Sequence, residues 1–350
     1  MINFMNDYNS PGHPAVLKAL TDAADNKYVG YGRDEATKRA CDKILALLGG
    51  SGASVHFIPG GTQTNLTAIA AFLRPHEAVI APGTSHINVH ETGAIECAGH
   101  KILLAGGELP DMYNDAGKLT AEAIEKICRA HTDEHMVKPR LAFISQSTEL
   151  GTIYRLNEIK QLREACDEFG LLLYMDGARL ASALTAPGND LFLPDIAELC
   201  DAFYIGGTKN GLLFGEALVI TNAALDVDFR YYIKQRGGLL AKGFLMGLQF
   251  DAIMDNGLYF DIARHANEMA ARLRSGMEAL GYRFRVNSHT NQIFPIISKD
   301  VAEMLAQRFL FEVWEAAGAG EVVIRLVASW NTTLREIDEF LCFYEKIHNN

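Results

Sequence analysis

Cysteine is sparse and scattered in this chain of 350 residues: Cys41, Cys97, Cys128, Cys166, Cys200 and Cys342 are far apart, and no two form a C-x-x-C pair. That spacing excludes a paired-cysteine motif and reads as reduced or buried thiols of a cytoplasmic protein. Basic residues never run to five in a row, and the formal net charge is -11, which excludes nucleic acid or an anionic membrane as the main partner. No apolar stretch approaches the roughly 20 residues needed to cross a bilayer. The opening residues Met1 to Asp7 lack a basic segment and a long apolar one, so no signal peptide is expected. No strand-like run is followed by G-x-G-x-x-G, which leaves a nicotinamide dehydrogenase without its fingerprint. There is no proline- or serine-rich linker, internal repeat or low-complexity segment.

What is present is a globular composition, 49% hydrophobic and 21% charged. The length suits one large domain and a smaller one. From about residue 35 to 222, strand-like and helix-like stretches alternate. Strands are expected at 54–58, 78–81, 101–104, 141–145, 171–175, 202–205 and 217–220. Helices are expected at 35–48, 62–73, 119–130 (with Thr120 as N-cap) and 156–169. Continuous apolar strands between amphipathic helices predict a mainly parallel sheet covered on both faces. Beyond residue 250 the pattern becomes α+β, with helices at 262–280, 302–314 and 334–347 and strands at 283–286, 293–297 and 322–327. The expected division is 1–250 and 251–350, with the two parts tightly packed.

The chemistry-bearing residues follow the strands. Lys209 stands in Tyr204-Ile205-Gly206-Gly207-Thr208-Lys209-Asn210-Gly211. Small neighbours leave room for a bulky aldehyde, and a lysine that loses its proton there can form a Schiff base. A solvated surface charge is the ordinary alternative. Ile58-Pro59-Gly60-Gly61-Thr62 reads as a strand, a glycine turn and a helix start, where free N–H groups favour an anion. It is not a P-loop, because no Gly-Lys-Ser/Thr follows. Asp176, in Tyr174-Met175-Asp176-Gly177-Ala178-Arg179, puts a carboxylate at the end of a buried strand. It either pairs with Arg179 or holds a pyridinium N–H, leaving Arg179 to grip a substrate carboxylate. His86, His90 and Glu91 share one loop. A metal is not expected there, since no third ligand follows, and an imidazole lying on an aromatic cofactor fits better. Arg325 inside an apolar strand needs a carboxylate partner, either the protein's own or a substrate's.

These motifs occur in one order over nearly the whole chain: Gly-Gly-Thr, His-x-x-x-x-Glu, Asp-Gly-Ala-Arg, Gly-Gly-Thr-Lys-Asn-Gly and a late strand arginine. Tyr31-Gly32, Gly151-Thr152-Ile153-Tyr154 and Ser329-Trp330-Asn331-Thr332 add to the pattern. The combination resembles the low-specificity L-threonine aldolases, in the β-eliminating lyase group of pyridoxal-phosphate enzymes. The resemblance implies an α/β, aspartate-aminotransferase-like large domain with a mainly parallel seven-stranded sheet, plus a smaller α+β C-terminal domain. It implies aldol cleavage of L-threonine, L-allo-threonine and related β-hydroxy-α-amino acids to glycine and an aldehyde. Another reaction on the same scaffold, such as β-elimination or transamination, is the alternative. Lys209 would carry pyridoxal 5'-phosphate, Asp176 its ring nitrogen and His86 its ring face. Gly60, Gly61 and Thr62 would bind the phosphate, with Thr208 and Arg179 also on the cofactor. Arg179 and Arg325 would hold the substrate carboxylate, and His86, or a water it holds with Glu91, would act as base. Tyr31, and a basic residue such as Lys234 or Arg236, would reach in from a neighbouring subunit of a dimer or dimer of dimers. Two positions depart from the pattern. Asn6-Asp7 replaces Ser-Asp, which puts Asn6 at the substrate carboxylate, and Glu149 replaces a histidine that some branches carry near Thr148.

Overall fold

Apolar runs without polar alternation become strands buried on both faces. In the computed structural model, which describes residues 1–50, 52–106 and 116–348, such runs build the central sheet. The strands in chain order are β1 (Ile2–Asn3), β2 (Ser54–Ile58), β3 (Glu77–Pro82), β4 (Ile102–Ala105), β5 (Lys138–Ser145), β6 (Leu172–Asp176), β7 (Ala202–Gly206) and β8 (Glu216–Ile220). Then come β9 (Arg283–Phe284), β10 (Gln292–Ile293), β11 (Pro295–Ser298), β12 (Phe309–Leu310), β13 (Glu312–Ala316) and β14 (Glu321–Val327). The main sheet has seven strands in the order β2-β8-β7-β6-β5-β3-β4. All pairings are parallel except those of β8, which runs against both β2 and β7. Alternate side chains feed two cores: Phe203 and Ile205 pack into one, Tyr204 and Leu218 into the other.

A second, antiparallel sheet has β14 at its centre, flanked by β10, β11 and β13. The N-terminus joins this half of the molecule. β1 pairs in parallel with β12. The Phe4 N–H donates to the Leu310 carbonyl and the Val327 N–H to the Phe4 carbonyl, both at 2.8 Å. The Phe4 ring lies edge-on to Phe340 at 5.6 Å, within the core of the C-terminal sheet. This stitching delivers Asp7 to the carboxyl end of the main sheet, where it meets Arg179 after β6.

The expected main-sheet strands coincide with the observed ones to within a few residues. The C-terminal half differs in two places. The helix expected over 302–314 stops at Ala306 (Lys299–Ala306), and β12 and β13 follow. Phe309, Phe311 and Val313 fall at two-residue spacing, and pairing with β1 and β14 overrides the helical period. The strand expected over 293–297 is interrupted at Phe294. Phe4→Ala is expected to lower stability by about 3–5 kcal/mol, the range for emptying a buried aromatic site. Urea unfolding monitored by fluorescence would show this as a reduced midpoint, with Phe4→Leu falling between the two.

Candidate active site

Ligands of open α/β sheets collect beyond the carboxyl ends of the strands. Here β2 leads into Gly60, β3 into His86, β5 into Glu149, β6 into Asp176 and β7 into Lys209. A cavity of about 450 Å³ opens there, walled by the glycine turn, His86, Lys209, Thr208, Arg179 and Arg325, among others. The helix Gly61–Phe72 starts on this cavity with no side-chain cap, so its first N–H groups are left for an anion. A Cβ on Gly61 would lie 3.1 Å from Tyr204 Oη, so the turn fits closely over that tyrosine.

Asp176 is buried and does not pair with Arg179. Asn65 Nδ2 donates to its Oδ2 at 2.9 Å, the Ala178 N–H donates to its Oδ1 at 2.9 Å, and the Tyr204 hydroxyl also donates to Oδ1. The same Asn65 amide donates to Glu91 Oε1 at 2.8 Å, and Tyr174 Oη donates to Asn65 Oδ1 at 3.1 Å. Glu91 Oε1 also meets His86 Nδ1 at 2.8 Å. A carboxylate accepts only, so the proton between them sits on Nδ1 in the ion pair or the neutral ring, and Nε2 is the remaining nitrogen. Burial pulls the His86 pKa down, but the Glu91 bond and the charges of Glu149 and Asp176 prevail, and the net shift is upward. Burial pushes Glu91 up.

Lys209 is held below its ordinary pKa, chiefly by burial and then by Arg179. Arg179 Nε and Nη2 bind Asp7 at 2.7 and 3.1 Å. Burial pushes the Asp7 carboxyl up, but Arg179 and Lys209 bring it below its ordinary value. Arg325 on β14 pairs across the ladder with Glu312 of β13, stacks over Trp314 at 4.9 Å, and keeps a buried Nε with no partner among the described residues. Glu149 is buried 4.0 Å from Arg179. Burial raises its pKa, but His86, Arg179, Lys209 and His90 win, and it stays ionised.

Of the residues expected at the site, Gly60, Gly61, Thr62, His86, Arg179, Thr208, Lys209 and Arg325 share the cavity wall. Asp176 lies beneath it through Tyr204. Glu91 stands behind His86 and is not among the lining residues. Asn6 is not on the wall either: its side chain accepts from the Tyr8 N–H at 3.1 Å, and Tyr8 lines the cavity instead. Tyr31 lies on a different cavity with Arg230, its ring under Lys234 at 4.8 Å. The Arg236 carbonyl accepts from Gln63 Nε2 at 2.7 Å, beside the glycine turn. Sequence reading missed Asn65, Tyr204, Asp7 and Glu216. The local hint for Glu216 is that it is a charged residue opening the apolar run Ala217 to Ile220, but that pattern does not say at which end of the sheet it falls.

The family model described as "Beta-eliminating lyase" matches residues 3–300. Low specificity L-threonine aldolase of Pseudomonas aeruginosa is 32% identical over 346 residues, spanning 96% of this chain and 95% of that protein. The Escherichia coli K12 protein of the same description is 27% identical over 317 residues, covering 88% of each. Among solved structures, threonine aldolase of Leishmania major has a TM-score of 0.95 and 44% identity, covering 99% of this chain and 100% of that one. An aspartate aminotransferase mutant of Thermus thermophilus, 14% identical, shares the fold at a TM-score of 0.72 over 99% of this chain and 91% of its own.

Glu91→Gln is expected to lower the His86 pKa, measured by NMR titration of the ring. In the wild type, the stabilisation from the raised imidazole is complete below its ordinary value of 6.5 and is lost as pH rises through the folded value. The variant's stability deficit therefore shrinks with rising pH across that window.

Proposed function

The chain belongs to the beta-eliminating lyase family, and from that membership we propose that it is a carbon–carbon lyase cleaving L-threonine and related β-hydroxy-α-amino acids to glycine and an aldehyde. Its cofactor is pyridoxal 5'-phosphate. The observation that carries this reading is Lys209, an amine of lowered pKa facing one cavity with an uncapped helix start and a donor-supported carboxylate below. That donor set fits the cofactor's aldehyde, phosphate and ring nitrogen. Lys209 would hold the aldehyde carbon covalently, Gly60, Gly61, Thr62 and Thr208 the phosphate, Asp176 the ring nitrogen, and His86 the ring face. When bound, the cofactor supplies an electron sink for the pair released as Cα–Cβ breaks.

The protein's own part is binding, orientation and proton handling. Arg325 would take the substrate carboxylate through the guanidinium edge it now shares with Glu312, and Arg179 through the edge that Asp7 leaves. Two fixed points on the carboxylate choose which Cα bond stands over the ring, and that choice selects cleavage over other outcomes. His86, its Nδ1 tied to Glu91, presents Nε2 to the β-hydroxyl proton, directly or through one water. Glu91 is a positioning residue in this scheme. Glu149, ionised beside His86 and His90, is a second acceptor on the same wall.

The site is completed between subunits of a dimer or dimer of dimers, with Tyr31 and Lys234 or Arg236 serving a neighbouring copy, and the protein acts in the cytoplasm. No helix among the described residues is long and apolar enough to cross a membrane. Lys209→Ala is expected to lose the cofactor-linked visible absorbance and nearly all aldehyde release. A variant that stayed coloured through a covalent link, and active, would overturn the assignment. Threonine giving glycine and acetaldehyde supports cleavage, whereas a keto acid product would favour elimination or transamination.

A further inference from the structure

Glu216 sits where an acid is least expected. β8 is the reversed strand of the main sheet, so its first residue lies at the carboxyl edge, not the far one. Glu216 is in register with Ile58 of β2 and with Gly206 of β7. It is therefore wedged between the glycine turn and the loop that carries Lys209, and it lines the same cavity as both. The residue is 4% exposed. Its Oε1 accepts from Thr208 Oγ1 at 2.7 Å and its Oε2 from the Gly207 N–H at 2.9 Å.

We propose that Glu216 shares a proton with the cofactor's phosphate, so that uptake of pyridoxal phosphate draws a proton from solvent. The inference rests on the phosphate lying at Gly60, Gly61, Thr62 and Thr208. A phosphate monoester is largely dianionic above its second pKa of about 6. Two unprotonated anions in one cavity repel, and a proton shared between them relieves that repulsion beyond what the helix start and a neighbouring copy's Lys234 or Arg236 would supply. A protonated Glu216 becomes a donor to the phosphate while keeping its bond from Thr208. The groups facing it are few. Lys209 favours its ionised form and Asp176 opposes it, while Tyr174, Tyr204 and Tyr259 face it as protonated phenols. Burial dominates and pushes its carboxyl up to about 7. The proton is thus at hand near neutral pH, and above it the carboxyl must be reprotonated for the phosphate to bind. Apparent affinity for the cofactor falls with rising pH, by about tenfold per unit until the bound-state value is reached.

The test is calorimetric titration of the full-length protein, stripped of cofactor, at about pH 8, where Glu216 would be mostly ionised. Two buffers of different ionisation enthalpy report the protons taken up, and pyridoxal serves as the phosphate-free control. Proton uptake with pyridoxal phosphate is expected to exceed that with pyridoxal, and Glu216→Gln should abolish the excess. The variant's cofactor Kd should also lose the roughly tenfold-per-unit rise with pH. An unchanged excess in Glu216→Gln, or no excess in the wild type, overturns the inference, and the wild-type comparison decides should the variant fail to fold. If neither aldehyde colours the protein, the cofactor reading fails. Colour without Glu216-dependent protons sinks this inference alone.

Discussion

A carboxylate at the end of a strand buried on both faces must be given donors, and the layout of the site depends on how Asp176 gets them. An unpaired buried carboxylate destabilises a fold by several kcal/mol. No lysine or arginine meets it; an amide, a phenol and a backbone N–H do. These neutral donors support the charge without cancelling it, so the carboxylate can still attract a cationic ring nitrogen. Asn65 carries a further load, because its one amide nitrogen bridges Asp176 and Glu91. The loop after β3 is thereby tied to the end of β6, and His86 is oriented by the same network that serves Asp176. The close approach of β6 and β7 completes it. A Cβ on Gly177 would fall 1.7 Å from the Tyr204 carbonyl oxygen, so only glycine lets Tyr204 come within reach of Asp176.

Much of this was legible in the chain. Continuous apolar runs marked the main sheet, because strands buried on both faces have little room for polar residues. Lys209, His86, Arg179 and the glycine turn were legible because each directly follows such a run. Residues that depend on distant partners were not. Asn65 lies within an apolar helix, and nothing local says that its amide meets two carboxylates. Asp7 looks like one more polar N-terminal residue until β1 pairs with β12. The helix expected over 302–314 failed for the same reason: the partner strand, absent from any local window, decided the outcome. Glu216 shows the limit most sharply. A strand pattern does not reveal direction, and only the reversal of β8 turns a strand-opening acid into a cavity wall.

Lysine and arginine divide the work of the cavity by their chemistry. A guanidinium stays charged even when buried, so Arg179 and Arg325 need carboxylates, and Asp7 and Glu312 provide them. An ammonium yields its proton more readily. Lys209 feels Asp7, Glu149 and Asp176 pulling its pKa up, yet burial and Arg179 prevail. Arg179 thus helps to hold the Lys209 amine below its ordinary pKa.

The carboxylate clamp also joins the two halves of the molecule. Asp7 accepts from Arg179, just past the carboxyl end of the central strand β6, and from Asn291 Nδ2 at 2.9 Å, next to β10 of the second sheet. Asp7 itself is carried by a segment hydrogen-bonded to β12 and β14. Arg325 comes from β14, whose Val327 N–H holds that segment in place. The two arginines are therefore referenced to one another through the N-terminal segment, held on β14 by the Val327 N–H, and through one buried ion pair. A substrate held by both would have its Cα set by the relation between the sheets. In the proposed reading, which bond at Cα breaks would then follow from how the second sheet docks. In that same reading, the packing around Phe4, which holds the segment carrying Asp7, would bear on the choice of bond.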